Sequence, residues 1–268
     1  MRQKQPKVWA RTKKIVCLPA YLNYRMTGRL ADTPANTIAH IPMDYKKKRW
    51  MKENDLTRCF YDVPQDRLYE LIPSGETSSY RSNPMKLAQF TLSRRDPDYV
   101  PRTKATQTLE AARAAGTVTP ELQAVLAALH LPESALSRMH IGSVLFANKP
   151  GDGSAREQAA SCQRVLGGCA NICYDFATKR YRSNCVNWGM LPFTLADGAP
   201  LNAVPGDFIF VPAVREKVAR GDQEFPAVLV HAGQTQALTL YLKNTNAEER
   251  ELLLTGCLMN HYAAQNRR

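Results

Sequence analysis

Residues 143–157 read Ser-Val-Leu-Phe-Ala-Asn-Lys-Pro-Gly-Asp-Gly-Ser-Ala-Arg-Glu, and this stretch decides the fold. The apolar run Val144–Phe146 is typical of a buried strand bounded by turn residues. Gly151 and Gly153 predict a tight turn, since glycine adopts backbone angles that most residues avoid. Ser154 and Glu157 have the spacing of a capping box, which predicts that a helix begins at this serine. The stretch therefore predicts a strand, a glycine turn and a helix in direct succession.

The junction of turn and helix has the features of an anion site. Backbone N–H groups at a helix N-terminus point toward one place and favour negative charge there. Arg156 adds a planar set of donors suited to a carboxylate or a phosphate. Three interpretations are open: Ser154 only caps the helix, the turn binds a dinucleotide, or Ser154 and Arg156 face a carboxylate ligand together. The pattern Gly151-x-Gly153-x-x-Arg156 disfavours the dinucleotide, because arginine stands where a third glycine is needed.

Four segments, in this order, resemble the swivel (C-terminal) domain of the aconitase family. They are Gly151–Ala160, Arg164–Gly168, Phe176–Asn184 and Trp188–Phe193. The family pattern is a Gly-x-Gly-Ser-Ser-Arg-Glu-His turn, a Leu-Gly-Gly before a strand, a helix that opens with Phe-Ala-Arg, and a Gly-Leu-Leu-Pro exit. The resemblance covers roughly residues 65–268 and looks closest to the less characterised hydratases, which are aconitase paralogues. It implies an α/β fold, the swivelling β/β/α domain of aconitase type, preceded by a basic N-terminal arm.

The resemblance also implies a reaction and the residues that carry it. The reaction is the reversible hydration and dehydration of a hydroxy di- or tricarboxylate. Ser154 takes the position of the serine base that abstracts the proton alpha to a carboxylate, and Gly153 and Ala155 flank it as substrate-binding residues. Arg156 and Arg81 would hold the substrate carboxylates.

Two departures from the family pattern favour another interpretation, a degenerate remnant without activity. Ala155 replaces the second serine of the family turn, which removes one hydrogen-bond donor. Tyr69 takes the place of the aspartate in an Asp-His-Ile-Ser motif.

A cofactor and a partner follow from the same resemblance. Family members bind a [4Fe-4S] cluster through three cysteines on their larger, N-terminal part, and no such set is recognisable among the 7 cysteines of this chain. The cluster is therefore expected on a separate large subunit, as in isopropylmalate isomerase, or on N-terminal domains of a longer hydratase. The chain alone is expected to be inactive and to bind no metal. The cysteines lack a C-x-x-C pair, which favours reduced thiols in the cytoplasm over disulfides or a zinc site.

Charge divides the chain into two parts. Residues 1–60 carry 14 Lys/Arg and 4 Asp/Glu, so most of the net charge of +12 lies there. We therefore expect a basic arm or linker over residues 1–64 and the swivel domain over residues 65–268. The run Lys46–Trp50 flanks basic residues with aromatic ones, so a non-catalytic protein that binds RNA through the arm is the alternative function. No apolar run approaches the roughly 20 residues needed to span a bilayer, so no membrane partner is expected.

The remaining periodicities complete the predicted fold. They predict two or three helices within residues 103–138, a strand over 168–174, a helix over 176–188 and a strand over 207–212. A hairpin is predicted from 227–231 and 235–242, and one final helix from 247 to about 263, capped by Asn246 and Glu249. His130 and His140 are interpreted as incidental rather than as ligands.

Overall fold

The computed structural model describes residues 25, 43–44, 49–50, 67–68, 71–73, 77–153 and 155–266, the pairs before residue 71 by their backbone alone. The rest of the predicted basic arm, including Lys46–Lys48, lies outside the described residues. So do Tyr69 and Ser154. The predicted boundary between arm and domain at residue 64 stays a prediction.

The described strands are short, except for one hairpin. In chain order they are β1 Met43–Asp44, β2 Arg49–Trp50, β3 Arg67–Leu68, β4 Ser143–Phe146, β5 Lys149–Pro150, β6 Gly168–Cys173, β7 Leu191–Thr194, β8 Phe208–Phe210, β9 Glu224–His231 and β10 Gln234–Tyr241. β1 pairs with β2 antiparallel, and β3 pairs with β5 parallel.

The main sheet has six strands in the order β4-β6-β7-β10-β9-β8. β4, β6 and β7 run parallel, because helical crossovers join them. β10, β9 and β8 continue the sheet antiparallel, and β9 and β10 form the predicted hairpin. This mixed sheet confirms the predicted α/β fold.

Eight α-helices are described from residue 77 onward. They are α1 Pro84–Ala88, α2 Tyr99–Ala114, α3 Pro120–Ala128, α4 Arg156–Val165, α5 Lys179–Asn187, α6 Val214–Arg220, α7 Ala247–Thr255 and α8 Leu258–Gln265. Two 3₁₀ helices, Ser78–Tyr80 and Glu133–Arg138, join them. The predicted helices within 103–138 are thereby confirmed, with α2 beginning four residues earlier than the prediction.

Buried apolar side chains form two clusters along the sheet. The first lies around α4 and includes Leu145, Ala160 and Tyr181. The second lies around the antiparallel half, where the rings of Phe193 and Phe225 meet edge to face at 5.2 Å. β4 contributes Leu145 to the first cluster, while its neighbours on either side point to the other, exposed face. The predicted strand is thus buried on one face only.

Two predicted helices differ in the structure. The single C-terminal helix is wrong: it divides into α7 and α8 at Gly256, which has a φ of +91° that ends a helix. The N-cap of α4 is Ala155, one residue after the predicted Ser154, and it makes no side-chain capping bond. Ser154 lies outside the described residues, so the capping box of Ser154 and Glu157 stays a prediction. The Glu157 carboxylate accepts a hydrogen bond from the Trp188 indole N–H at 3.0 Å.

Candidate functional site

The glycine turn lies at the carboxyl ends of the parallel strands. It follows β4 and β5, and Gly151 has a φ of +91°. The loop after β6 holds the turn in place: the Ala177 N–H donates to the Pro150 carbonyl at 3.0 Å, and the Thr178 hydroxyl donates to the Gly151 carbonyl at 3.0 Å. Ligands of open α/β sheets bind outside the carboxyl ends of the strands, which is where this turn lies.

Gly151 lies directly against a buried aromatic ring. A Cβ atom at this position would lie 2.3 Å from Cγ and Cδ1 of Tyr181 and 2.4 Å from its Cβ. Tyr181 is completely buried. Both the positive φ and this close approach require glycine, so the conformation of the turn is coupled to the packing beneath it.

A buried polar network supports the Tyr181 ring. The Tyr181 hydroxyl donates to Oε1 of Gln163 at 2.8 Å and lies 3.2 Å from Nδ2 of Asn171, which donates to it. Asn171 also donates to Oε1 of Gln163 at 3.3 Å. Burial raises the pKa of Tyr181 well above its usual value, so the hydroxyl remains a neutral donor. The network joins α4, β6 and α5 below the turn. The sequence analysis missed it; the one available signal was Asn171, an amide between the apolar residues Ala170 and Ile172.

Arg156 is the first residue of α4 and is half-buried. Its Nε donates to the Gly151 carbonyl at 3.4 Å, which ties the guanidinium to the turn. Within the described part of the chain, its terminal Nη atoms make no hydrogen bond. They are therefore available to an anion near the N-terminus of α4, where the helix dipole adds to their effect.

Three of the predicted site residues lie side by side at the start of α4. Gly153 and Ala155 are half-buried on either side of residue 154, and Arg156 follows. Ser154 itself lies outside the described residues, so the structure does not test its role as a base. The substrate-binding roles of Gly153, Ala155 and Arg156 likewise stay predictions.

Arg81 lies on a different segment that approaches the same helix. It is exposed and ends the 3₁₀ helix Ser78–Tyr80, just before α1. α1 packs against α4, so the chain around Arg81 comes close to the helix that begins at Arg156. Arg81 has no hydrogen-bond or ion-pair partner among the residues that the structure describes.

The segment before Arg81 also leads to the turn. Leu68 of β3 pairs with Pro150 of β5, one residue before Gly151. Because the two strands are parallel, the chain leaves β3 at the end where the turn begins. Tyr69, the predicted substitute for the family's aspartate, comes next in the chain but lies outside the described residues.

The described residues do not fit an iron–sulfur cluster. Among them no group of three His, Cys, Asp or Glu side chains could hold a metal ion. Cys162, Cys173 and Cys185 are buried. Burial raises the pKa of Cys162 and of Cys185 to about 12 and raises that of Cys173 further, which disfavours the thiolate that a metal requires.

Part of the chain is similar to known proteins. Residues 133–198 match the family described as aconitase C-terminal domain. The matched residues run from the 3₁₀ helix before β4 to just beyond β7 and include the glycine turn. A crystal structure of 3-isopropylmalate dehydratase from Methanocaldococcus jannaschii is similar, with 21% sequence identity and a TM-score of 0.33 over 56% of this chain and 81% of that chain. No helix in the described ranges is long and apolar enough to cross a membrane.

Proposed function

We propose that this chain, whose residues 133–198 belong to the aconitase C-terminal domain family, supplies the serine base and the carboxylate-binding arginines of a hydro-lyase. The substrate class is a hydroxy di- or tricarboxylate. The observation that carries the proposal is the position of Arg156. Its guanidinium is tied to the Gly151 carbonyl at 3.4 Å, at the start of a helix and at the carboxyl ends of parallel strands.

Substrate binding in this proposal depends on two arginines. Arg156 binds one carboxylate with its Nη atoms, supported by the N-terminal N–H groups of α4. Arg81 binds a second carboxylate from the segment before α1. Exposure of Arg81 and its lack of a partner in the described part of the chain support this role.

Ser154 is the proposed base. A serine hydroxyl is too weak an acid to ionise at neutral pH without help. The helix N-terminus and Arg156 place positive potential next to residue 154, which stabilises negative charge on its oxygen. Ala155 offers no side-chain donor, so the substrate is held at that position by backbone N–H groups alone.

The cluster that the family resemblance implies is proposed to lie outside this chain's described residues. A cluster-bearing large subunit, or N-terminal domains of a longer hydratase, would carry it. The chain alone is then inactive.

The proposal is tested by purifying the tagged chain from its own source without oxygen. We expect an iron–sulfur protein to accompany it, and the complex to turn over citrate, isocitrate or 3-isopropylmalate. In that complex Arg156→Gln should raise KM, because a carboxylate contact is lost. Arg138→Gln, an exposed arginine outside the turn, is the matched control and should leave KM unchanged. Turnover by the pure, iron-free chain would contradict the need for a partner.

The concentration of positive charge in residues 1–64 favours one other function, RNA binding by a non-catalytic protein. An affinity for RNA that falls steeply with salt and disappears when residues 1–60 are deleted would support it. Equal affinity of the truncated and full chains would remove this alternative.

A further inference from the structure

A second cluster of chemically reactive side chains lies at the opposite end of the parallel strands from the glycine turn. Glu110 belongs to α2, His140 precedes β4, and Cys169 is the second residue of β6. β4 and β6 begin side by side, with Ser143 opposite Gly168. The topology thus brings a carboxylate, an imidazole and a thiol from distant parts of the chain to one place.

The carboxylate is firmly held. Glu110 accepts hydrogen bonds from Nε and Nη2 of Arg113 at 2.7 and 2.8 Å, and from the Ile141 N–H at 2.9 Å. Its Oε1 also lies 2.8 Å from Nδ1 of His140. The imidazole is therefore oriented by a carboxylate that is itself fixed by three other donors.

The thiol lies close enough to the imidazole to interact with it, and this interaction is the largest cause that raises the pKa of His140. Space for the sulfur comes from Gly142: a Cβ atom there would lie 1.9 Å from the Cys169 Sγ. The thiol also contacts the Gly167 carbonyl at 3.7 Å. Cys169 is half-buried and the His140 side chain is 63% exposed, so small molecules can reach the pair.

The charges that face His140 favour its protonated form. Hydrogen bonding to Cys169 raises the pKa of His140, partial burial opposes this, and the charges of Cys169 and Glu110 raise it further. Arg113 is already paired with Glu110. Arg164 donates to the Gly168 carbonyl at 3.1 Å and adds positive charge next to Cys169.

We propose that Cys169 is a nucleophilic thiol, activated by His140 and oriented through the positioning residue Glu110, that forms mixed disulfides with low-molecular-weight disulfides. Its proton passes to His140, and the thiolate attacks one sulfur of the incoming disulfide. A new S–S bond forms to Cys169 as the old one breaks. The departing thiolate takes the proton from His140 and leaves as a thiol, so no further oxidant is required.

The test is site-resolved labelling of the full chain with 4,4′-dithiodipyridine, with each modified cysteine quantified by mass spectrometry from pH 5 to pH 10. Cys257 is the internal control, because it is also half-buried and its sulfur accepts the Asn260 N–H instead of facing an imidazole. It is a demanding control, since it stands at the N-terminus of α8, an environment that also favours a thiolate. We expect Cys169 to react at least about tenfold faster than Cys257 at pH 7, where an ordinary thiol is only a few per cent ionised.

His140→Gln provides the matched variant, since the side chain is largely exposed and its loss leaves three bonds to Glu110. The variant should slow Cys169 about tenfold at pH 7 and leave it unchanged at pH 10, where an accessible thiol of ordinary pKa is ionised. The Cys257 rate should not change at either pH. Equal rates at Cys169 and Cys257 in the unaltered protein at pH 7 would overturn the proposal, as would a His140→Gln profile that matches that of the unaltered protein.

Discussion

Replacement of Gly151 by alanine tests whether the turn depends on the packing beneath it. Alanine would have to adopt a φ of +91°, a left-handed conformation that costs about 1–2 kcal/mol. Its Cβ would also lie 2.3 Å from two atoms of the Tyr181 ring, so the ring or the turn has to move. Overpacking of a well-packed core costs about 1–3 kcal/mol. The two effects together predict a destabilisation of about 2–5 kcal/mol.

A second glycine separates the two effects. Gly198 has a φ of +75°, but a Cβ there would meet no atom within 4 Å. Gly198→Ala should therefore cost only the backbone contribution of about 1–2 kcal/mol. Both variants are unfolded in urea, and the unfolding is monitored by far-UV circular dichroism. Their free energies of unfolding are extrapolated with one common slope of free energy against urea concentration. Equal free energies of unfolding for the two variants would refute the argument that Tyr181 determines the turn.

Three further predictions concern stability. Tyr181→Phe removes the hydroxyl that donates to Gln163 at 2.8 Å, and urea unfolding should show a loss of about 1–3 kcal/mol because buried amides lose a partner. Asn246→Ala removes the cap of α7 and should cost about 1 kcal/mol in the same assay. Partial burial raises the pKa of Glu110, but hydrogen bonds from Arg113 and a backbone N–H outweigh it and lower the pKa to about 2. Glu110 therefore stabilises the fold fully above its ordinary value of 4.5, and this contribution is lost as the pH falls toward 2. In Glu110→Gln the free energy of unfolding should therefore depend less on pH between about 4.5 and 2 than it does in the unaltered protein.

Each of these predictions has a control and an outcome against it. Tyr262→Phe changes an exposed tyrosine and should leave stability unchanged; equal effects at 181 and 262 would contradict the role of the buried network. For Asn246, replacement by aspartate should retain the cap and most of the stability. If the free energy of unfolding falls equally steeply at acid pH in Glu110→Gln and in the unaltered protein, other carboxylates determine the acid sensitivity.

Local patterns were sufficient to predict the hairpin and much of the parallel sheet. The two residues between β9 and β10, Ala232 and Gly233, have φ values of +46° and +79°. These are the angles of a tight hairpin turn, for which glycine is a strong sequence signal. Strands β4 and β6 were predicted within a residue or so, because apolar runs end at turn residues.

The final helix could not be predicted from its own residues. A single glycine inside a helical pattern is compatible with a continuous helix, so Gly256 did not indicate an end. At this point the chain also meets a distant segment: a Cβ on Gly189 would lie 1.8 Å from the Gly256 carbonyl oxygen. Two backbones approach where both residues are glycine, and this is a property of the tertiary packing.

The start of α4 shows the same limit of local patterns. Its N-cap is Ala155 rather than the predicted serine, and Glu157 accepts a hydrogen bond at 3.0 Å from Trp188, which is distant in the chain. His140 was interpreted as incidental because its partners, Glu110 and Cys169, are about 30 residues away on either side. Sequence spacing carries no signal for such a cluster, and the strand register alone brings it together.

The candidate site was predictable as a motif but not as a set of contacts. The resemblance placed the turn and Arg156 in one segment, and the family match over residues 133–198 includes that segment. Arg81 lies outside the matched residues, and its proposed role rests on the packing of α1 against α4.

Turnover by the anaerobically purified complex with Ser154→Ala is the most direct test of the central claim. Ser137→Ala, an exposed serine whose hydroxyl donates to the Ser134 carbonyl at 2.8 Å, is the matched control. If Ser154 is the base, its alanine variant still assembles with the cluster-bearing partner but loses hydratase activity, while Ser137→Ala retains it. Full activity of Ser154→Ala in the assembled complex would contradict the proposed function of the turn.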